Sequence, residues 1–128
     1  MTHVVHPYSH RLGILRDWKS RWFGLGGKYK DMLRGDILLR DYLEKRLRGF
    51  YVAGIDIERS PKLIRIVVKT SRPGMVIGRS GEGAVKLKND VLQFFKRAKI
   101  VVPEDFKIDI EEVHSPESNA SIVAQMVA

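Results

Sequence analysis

The chain has 128 residues, 44% of them hydrophobic, which is enough for one buried core and excludes wholesale disorder. It contains no cysteine, so a disulfide framework and a thiolate metal site are excluded. The net charge is +8. No stretch approaches the roughly 18 apolar residues that cross a bilayer, and no secretory signal is visible, so we expect a soluble intracellular protein.

The positive charge is concentrated in two segments. Residues 1–34 hold seven Lys/Arg against two Asp/Glu, and residues 62–102 hold ten against two, giving +5 and +8. Residues 35–61 are balanced, whereas residues 103–128 carry −5. Such a distribution indicates a polyanionic partner, because charge that serves only solubility has no reason to collect in particular segments.

Residues 1–34 are predicted to form an irregular basic arm, since glycines interrupt them and no long periodic pattern occurs before Tyr29. Interleaved aromatic and basic side chains can stack on bases and hold phosphates. Trp18, Trp22 and Phe23 could equally anchor the arm to the domain, and sequence alone leaves both readings open. The candidate nucleic-acid contacts in the arm are His6, Arg11, Arg16, Trp18, Lys19 and Trp22.

His3, His6 and His10 do not predict a metal site. Zinc sites usually combine such histidines with Cys or carboxylate ligands, and none lies close to them in the sequence. We expect exposed or RNA-facing histidines instead.

A helix is predicted to begin at Asp36, acting as its N-cap, and to end near Arg48, before Gly49. Its inner stripe consists of apolar residues at helical spacing, namely Leu39, Tyr42, Leu43 and Leu47. The opposite side is expected to be a solvated face on which acidic residues balance basic ones, namely Arg40, Asp41, Glu44, Lys45 and Arg48.

Alternating apolar residues then predict three strands. The first two form a hairpin around a turn at Ser60-Pro61. The third begins after Pro103, which is expected to interrupt the preceding helix, and one of its faces is expected to be exposed to solvent. Ser115-Pro116 is expected to open a last helix. The alternating strand residues are Ile55 and Ile57, then Ile64, Ile66 and Val68, then Phe106, Ile108 and Ile110.

A glycine loop, Gly78-Arg79-Ser80-Gly81, joins a short helix opened by Pro73 to an amphipathic helix. The amino end of a helix attracts anions, and glycines let another backbone approach closely. This pattern predicts a clamp for a nucleic-acid backbone, although a glycine corner can also be plain structure, because Gly commonly ends helices. The inner stripe of the amphipathic helix is Ala84, Leu87, Val91, Phe94, Phe95 and Ala98, and the cations assigned with the loop are Arg65, Arg72, Lys86 and Lys88.

The order of elements from Asp36 to Val113 predicts a two-layer α+β domain whose three-stranded sheet is covered on one face by helices. A groove between the helical corner and the sheet, floored by Val76 and Ile77, would suit single-stranded nucleic acid.

This order and the string from Val76 to Gly81 resemble the type II KH domain (α-β-β-α-α-β). Further stretches are similar to the bacterial-type small-subunit ribosomal protein S-three family: His6-Pro7, Arg11-Leu12-Gly13-Ile14, Trp18, Trp22-Phe23, Arg40-Asp41-Tyr42-Leu43, Ile57-Glu58-Arg59 and Arg72-Pro73-Gly74. The resemblance implies an arm at 1–34, a KH domain at 35–114, and at 115–128 the start of a helix that in family members leads to a second domain, absent here. Ser80 departs from the family, in which a second basic residue is common at that position.

The resemblance further implies a non-enzymatic component of the small-subunit head, without a cofactor, near the mRNA entry side. Its implied partners are small-subunit ribosomal RNA and neighbouring head proteins, with mRNA as a further candidate. The implied location is the cytoplasmic ribosome, and an organellar ribosome is not distinguished from it. The family's mRNA-unwinding residues lie past this chain, so that role is not assigned.

Other functions fit the sequence less well. A free-standing KH-type regulator would not need the aromatic arm. An enzyme is disfavoured because the spacing of Gly78, Gly81 and Gly83 matches neither the P-loop nor the dinucleotide fingerprint. Asp109 and Glu111 could bind magnesium, but a wet strand face explains them more simply. A membrane-surface role would remove the apolar face of the helix at 84–99 from so small a core.

Overall fold

The computed structural model describes residues 3–102 and 104–128. The predicted interruption of secondary structure at Pro103 lies outside these residues. The α+β class is confirmed. The helices are α1 (Pro7–His10), α2 (Gly27–Arg46), α3 (Pro73–Ile77), α4 (Glu82–Arg97) and α5 (Ala120–Val127). The strands are β1 (Ser20–Arg21), β2 (Val52–Arg59), β3 (Leu63–Thr70) and β4 (Asp105–Glu112).

The sheet has four strands in the order β1-β2-β3-β4, rather than the three predicted. β2 and β3 form the expected antiparallel hairpin, and β4 runs parallel to β3. The additional strand comes from the arm, where Ser20 pairs with Ile57 in parallel orientation. A strand of two residues is too short to show an alternating pattern, so the sequence could not reveal it.

The core lies between the sheet and the two long helices. Most residues of both predicted stripes are buried, whereas Tyr42, Ala84, Phe94 and Ala98 are partly buried. Phe95 meets Phe106 edge-on with ring centroids 5.6 Å apart. Tyr42 stacks on Phe94 at 4.4 Å, which joins α2 to α4. The fully enclosed side chains of this core include Leu39, Leu43, Ile57, Ile66, Val68, Val91 and Phe95.

The other face of the sheet carries ion pairs between strands. Lys69 Nζ lies 2.7 Å from Asp56 Oδ2, joining β3 to β2. Arg65 reaches Asp109 on β4 at 2.5 Å and Glu58 on β2 at 3.2 Å. The predicted wet face of the third strand is therefore part of a network of opposite charges.

Asp36 does not cap α2, which begins well before it, at Gly27. The Asp36 carboxylate is buried in the middle of the helix and accepts hydrogen bonds from Trp22 Nε1 at 2.6 Å and from Arg59 Nε at 2.7 Å. The side chains of Arg59 and Asp36 are only 8% and 3% exposed. A carboxylate ahead of an apolar stripe reads as a cap, and its buried partners are distant in sequence, which explains the wrong prediction.

Arg40 also departs from the prediction of a solvated face. Its guanidinium donates to Lys19 O at 2.6 Å, to Ser20 Oγ at 2.7 Å and to the carbonyl of Ile55. The side chain therefore fastens the short strand β1 beside β2. The pair of Lys45 and Asp41, 2.8 Å apart, is exposed as expected.

The last helix begins later than Ser115-Pro116. Pro116 opens a single 3-10 turn, and Asn119 caps α5 by accepting from the amides of Ser121 and Ile122. Ile122 is fully buried, and Gln125 Nε2 donates to Val52 O at 2.9 Å, which holds α5 against the start of β2. Among the described residues, no helix is both long and apolar enough to cross a membrane.

The buried acceptor predicts a large stability effect. Asp36→Ala would leave the Arg59 charge buried without its partner, and we expect a loss of about 3–5 kcal/mol in the free energy of unfolding. Asp41→Ala removes an exposed pair on the same helix and should cost about 0.5 kcal/mol or less. Urea unfolding of both variants measures the difference, and similar losses would contradict the importance of the buried contact.

Candidate nucleic-acid interface

The predicted glycine loop is a sharp corner between α3 and α4. The Gly78 amide donates to Gly74 O at 3.0 Å and closes α3. Gly78 then has φ 73° and ψ −172°, a backbone conformation that only glycine adopts readily. Ser80 and Gly81 follow with φ 55° and 78° in one tight turn, and α4 begins at Glu82.

Gly83 brings the two helices into close contact. A Cβ built at Gly83 would lie 2.6 Å from Val76 O and 2.8 Å from Ile77 O, and one at Gly78 would lie 3.1 Å from Gly83 N. The first turn of α4 therefore rests directly on the last carbonyls of α3. The sequence reasoning did not assign Gly83 a role in the site, although a third glycine two residues after Gly81 was a visible signal.

The corner presents groups suited to an anion. Gly78, Arg79 and Ser80 are exposed, and within the described residues Arg79 makes no salt bridge. No side chain caps the first turn of α4, although the Glu82 amide donates to the carbonyl of Arg79 within the corner. The positive end of the helix dipole lies at the same place.

The groove beside the corner is built differently from the prediction. Val76 is buried in the core and cannot be its floor, whereas Ile77 is partly exposed and Val85 is 61% exposed. α3 and α4 both pack against β4, the last strand of the sheet. Val76 was misassigned because both faces of a short helix next to the core read as apolar.

A hollow of about 540 Å³ lies farther along α4, at the start of β4. It is about 15 Å from the corner, taking 1.5 Å per residue from Glu82 to Leu92. Its wall combines two cations, Lys88 and Lys107, with two carboxylates, Glu104 and Asp105, beside the apolar side chains of Leu63, Leu92, Val102 and Phe106.

The arm and the glycine loop lie at opposite corners of the sheet. β1 pairs with Ile57 and Glu58, which face the first half of β3 across the hairpin. The loop follows the other end of β3, beyond Thr70, and lies toward β4. The structure therefore does not bring the two groups of predicted contacts together, and they form two separate basic surfaces.

Within the arm, Tyr8 organises several predicted contacts. Lys19 Nζ and Arg16 Cζ lie over its ring at 4.8 and 5.9 Å, and its hydroxyl donates to Asp17 O at 2.6 Å. Trp18 is 62% exposed. These side chains form a surface of cations and aromatic rings open to solvent, which we call the arm surface: Tyr8, Arg16, Trp18 and Lys19.

Other predicted contacts have roles in the fold. His6 Nδ1 accepts from the Tyr8 amide at 3.1 Å and caps α1, and Arg11 donates to Pro7 O at 2.8 Å. Trp22 is half-buried, bonds Asp36 and lies 5.4 Å from the Tyr29 ring. The anchoring alternative thus holds for Trp22, whereas Trp18 and Phe23 remain exposed.

The cations assigned with the loop differ in exposure, and Arg65 lies on the half of β3 away from the loop. Arg65 is engaged by Asp109 and Glu58, whose hydrogen bonds and charges raise the pKa of its guanidinium. Arg72 is exposed and lies over the Tyr51 ring at 4.6 Å. Lys86 and Lys88 are exposed on α4. Three of the four cations are therefore open to a ligand.

The described residues contain no cluster of three or more His, Asp or Glu side chains arranged to hold a metal ion. Asp109, considered above as a magnesium ligand, is instead paired with Arg65.

Comparison with known proteins gives one family and many relatives. The family model described as KH domain matches residues 38–118. Over all 128 residues the chain is 40% identical to small ribosomal subunit protein uS3 of Solibacter usitatus, covering 35% of that protein. It is 41% identical to uS3 of Porphyromonas gingivalis, covering 49%, and 38% identical to uS3 of Bdellovibrio bacteriovorus, covering 55%. The chain thus spans about half or less of these relatives' length.

The close approach at Gly83 predicts a strong response to one methyl group. Gly83→Ala should destabilise the protein by about 1–3 kcal/mol, because the methyl cannot fit beside the carbonyls of α3. Gly74→Ala is the matched control, since a Cβ there meets nothing within 4 Å and the change should be neutral or stabilising by up to about 1 kcal/mol. Thermal unfolding of both variants tests this, and equal shifts would refute the packing role of Gly83.

Proposed function

The chain belongs to the KH domain family, and on that premise we propose that it is a non-enzymatic RNA-binding protein of the small ribosomal subunit. The similarity to uS3 proteins over all 128 residues supports the ribosomal assignment. The order α2-β2-β3-α3-α4-β4 supports the type II arrangement within the family. A cytoplasmic ribosome is the proposed location, consistent with the bacterial source of these relatives.

The observation that carries the RNA-binding role is the corner at Gly78-Arg79-Ser80-Gly81. The amino end of α4 and the Arg79 guanidinium converge on one exposed place, where they suit a phosphate of ribosomal RNA. A KH loop of this kind clamps about four nucleotides of backbone. Bases would lie over Ile77 and Val85, toward the hollow beside Lys88.

The arm surface supplies a second contact in this proposal. Exposed Trp18 offers a stacking platform, and Arg16 and Lys19 offer charges for phosphates. Because the arm surface and the glycine loop are held at opposite corners, one folded RNA that reaches both would bind more tightly than either contact alone allows. A large folded RNA meets this requirement better than a short single strand.

The proposed division of the chain is an arm at 1–34, a KH domain at 35–114 and the start of a connecting helix at 115–128. The first part of α2, from Gly27, would then be contributed by the arm segment.

Neighbouring head proteins are proposed partners through an apolar stripe on the outer side of α2. Tyr29, Leu33 and Ile37 follow one another at four-residue spacing and are 51%, 39% and 58% exposed. Side chains at this spacing adjoin on a helix. Aliphatic groups do not read RNA, so a protein surface is the better occupant. mRNA near the entry side is also proposed as a partner, on the resemblance alone.

Reversing the charge of the loop tests the clamp. The double variant Arg79→Asp/Ser80→Asp should weaken binding to small-subunit ribosomal RNA by about tenfold to a hundredfold, because charge-assisted hydrogen bonds to phosphate are lost. Filter binding measures the affinity, and Lys45→Asp on the exposed side of α2 is the matched control. For the unaltered chain, log affinity should fall with log salt by about 0.7 per phosphate contacted. An unchanged affinity or a flat salt titration would contradict the clamp.

Sedimentation tests the ribosomal assignment against a free-standing regulator. The chain should travel with small subunits rather than with free RNA. Leu33→Gln/Ile37→Gln should reduce its share in the particles while changing the free energy of unfolding by less than about 1 kcal/mol, since both positions are exposed. Glu44→Gln on the same helix is the control. A chain found only with free RNA would favour the regulator.

A further inference from the structure

Tyr51, which the sequence reasoning did not consider, has an unusual backbone. It lies between α2 and β2 with φ 54°, in the left-handed region that L-residues with large side chains rarely adopt. Its carbonyl accepts from the Ser71 amide at 3.3 Å and lies 3.2 Å from Thr70 Oγ1. The end of β3 therefore holds Tyr51 in this conformation.

The same threonine fixes the position of Arg72. Thr70 is fully buried, its hydroxyl donates to Phe50 O at 2.8 Å, and its oxygen accepts from the Arg72 amide at 3.1 Å. One hydroxyl thus links the turn that carries Tyr51 to the start of α3. The two side chains meet as a result, with Arg72 Cζ 4.6 Å from the centre of the Tyr51 ring.

A guanidinium lying on a ring keeps its N–H groups pointing sideways, where they can meet a phosphate in a bidentate manner. Within the described residues Arg72 makes no salt bridge, and its side chain is exposed. Arg72 directly precedes α3 and Gly78 directly follows it, about 9 Å away along the helix axis at 1.5 Å per residue. This distance lies within the reach of a strand of about four nucleotides.

We propose that Tyr51 is a positioning residue that holds the Arg72 guanidinium as a second phosphate-binding point, separate from Arg79. The inference rests on the proposed function, because it names the part of the same interface that takes the next stretch of RNA backbone. Tyr51 contributes through Arg72 and does not itself contact the RNA.

A double-mutant cycle tests this inference by filter binding of the full chain to small-subunit ribosomal RNA transcribed in vitro. Tyr51→Leu should weaken binding about two- to fivefold, the range expected for an exposed cation–π contact. Tyr51→Phe keeps the ring and should bind like the unaltered chain. Arg72→Gln should weaken binding about tenfold and reduce the salt slope by about 0.7, the contribution of one phosphate. Adding Tyr51→Leu to Arg72→Gln should change the affinity by less than twofold.

Arg72→Lys gives a second readout that does not alter Tyr51. It retains the charge but not the flat guanidinium, so it should weaken binding while keeping the salt slope. Urea unfolding of each variant separates RNA binding from folding, and Tyr51→Phe shows whether the aromatic ring is sufficient.

Two results would overturn the inference. The first is that Tyr51→Leu weakens binding equally with and without Arg72. The second is that Tyr51→Leu and Arg72→Gln leave the affinity unchanged while Arg79→Asp/Ser80→Asp lowers it. In either case the proposed function stands. If the unaltered chain does not bind the RNA, or binds it without salt dependence, both the inference and the proposed function fail.

Discussion

One buried carboxylate joins a helix, a strand and the amino-terminal arm of this protein. Asp36 of α2 accepts hydrogen bonds from Trp22 of the arm and from Arg59 at the end of β2. A carboxylate is removed from water at acceptable cost only when charged and hydrogen-bonding partners surround it. The hydrogen bonds of this carboxylate can therefore form only when the helix, the strand and the arm are assembled together. Arg40 adds to this by tying β1 to Ile55 of the neighbouring strand.

This assembly fixes the distance between two basic surfaces. The arm surface is attached where β1 meets β2, and the glycine loop lies beyond the opposite end of β3. Between them the open sheet face is occupied by paired charges, such as Lys69 with Asp56. The opposite charges within each pair cancel, so this face of the sheet adds little attraction for a polyanion. In the proposed function, RNA would therefore bind at the two corners rather than at the middle of the sheet.

The sequence predicted the helices and strands whose buried faces repeat periodically, and each wrong prediction has a physical cause. Residues such as Leu87, Val91 and Phe95 marked α4 because a buried face repeats every three to four positions. Asp36 was misread because a cap and a buried acceptor look the same before the fold is known. The two-residue strand β1 and the contact of Gly83 with Val76 O depend on segments meeting in space. The loop was visible because glycine spacing is local, whereas its role in RNA binding remains a prediction.

The sheet has two unlike borders. Beside β2, Gln125 donates a hydrogen bond to the carbonyl of Val52, and Arg40 donates one to the carbonyl of Ile55. The strand β1 pairs with β2 at Ile57. Along β4 no strand of the described residues covers the outer backbone. Unpaired backbone N–H and C=O groups along an edge strand can pair with a strand of another chain, which is one route to aggregation. In the proposed function this border adjoins the RNA-binding corner, so RNA bound there would cover the open backbone edge of β4.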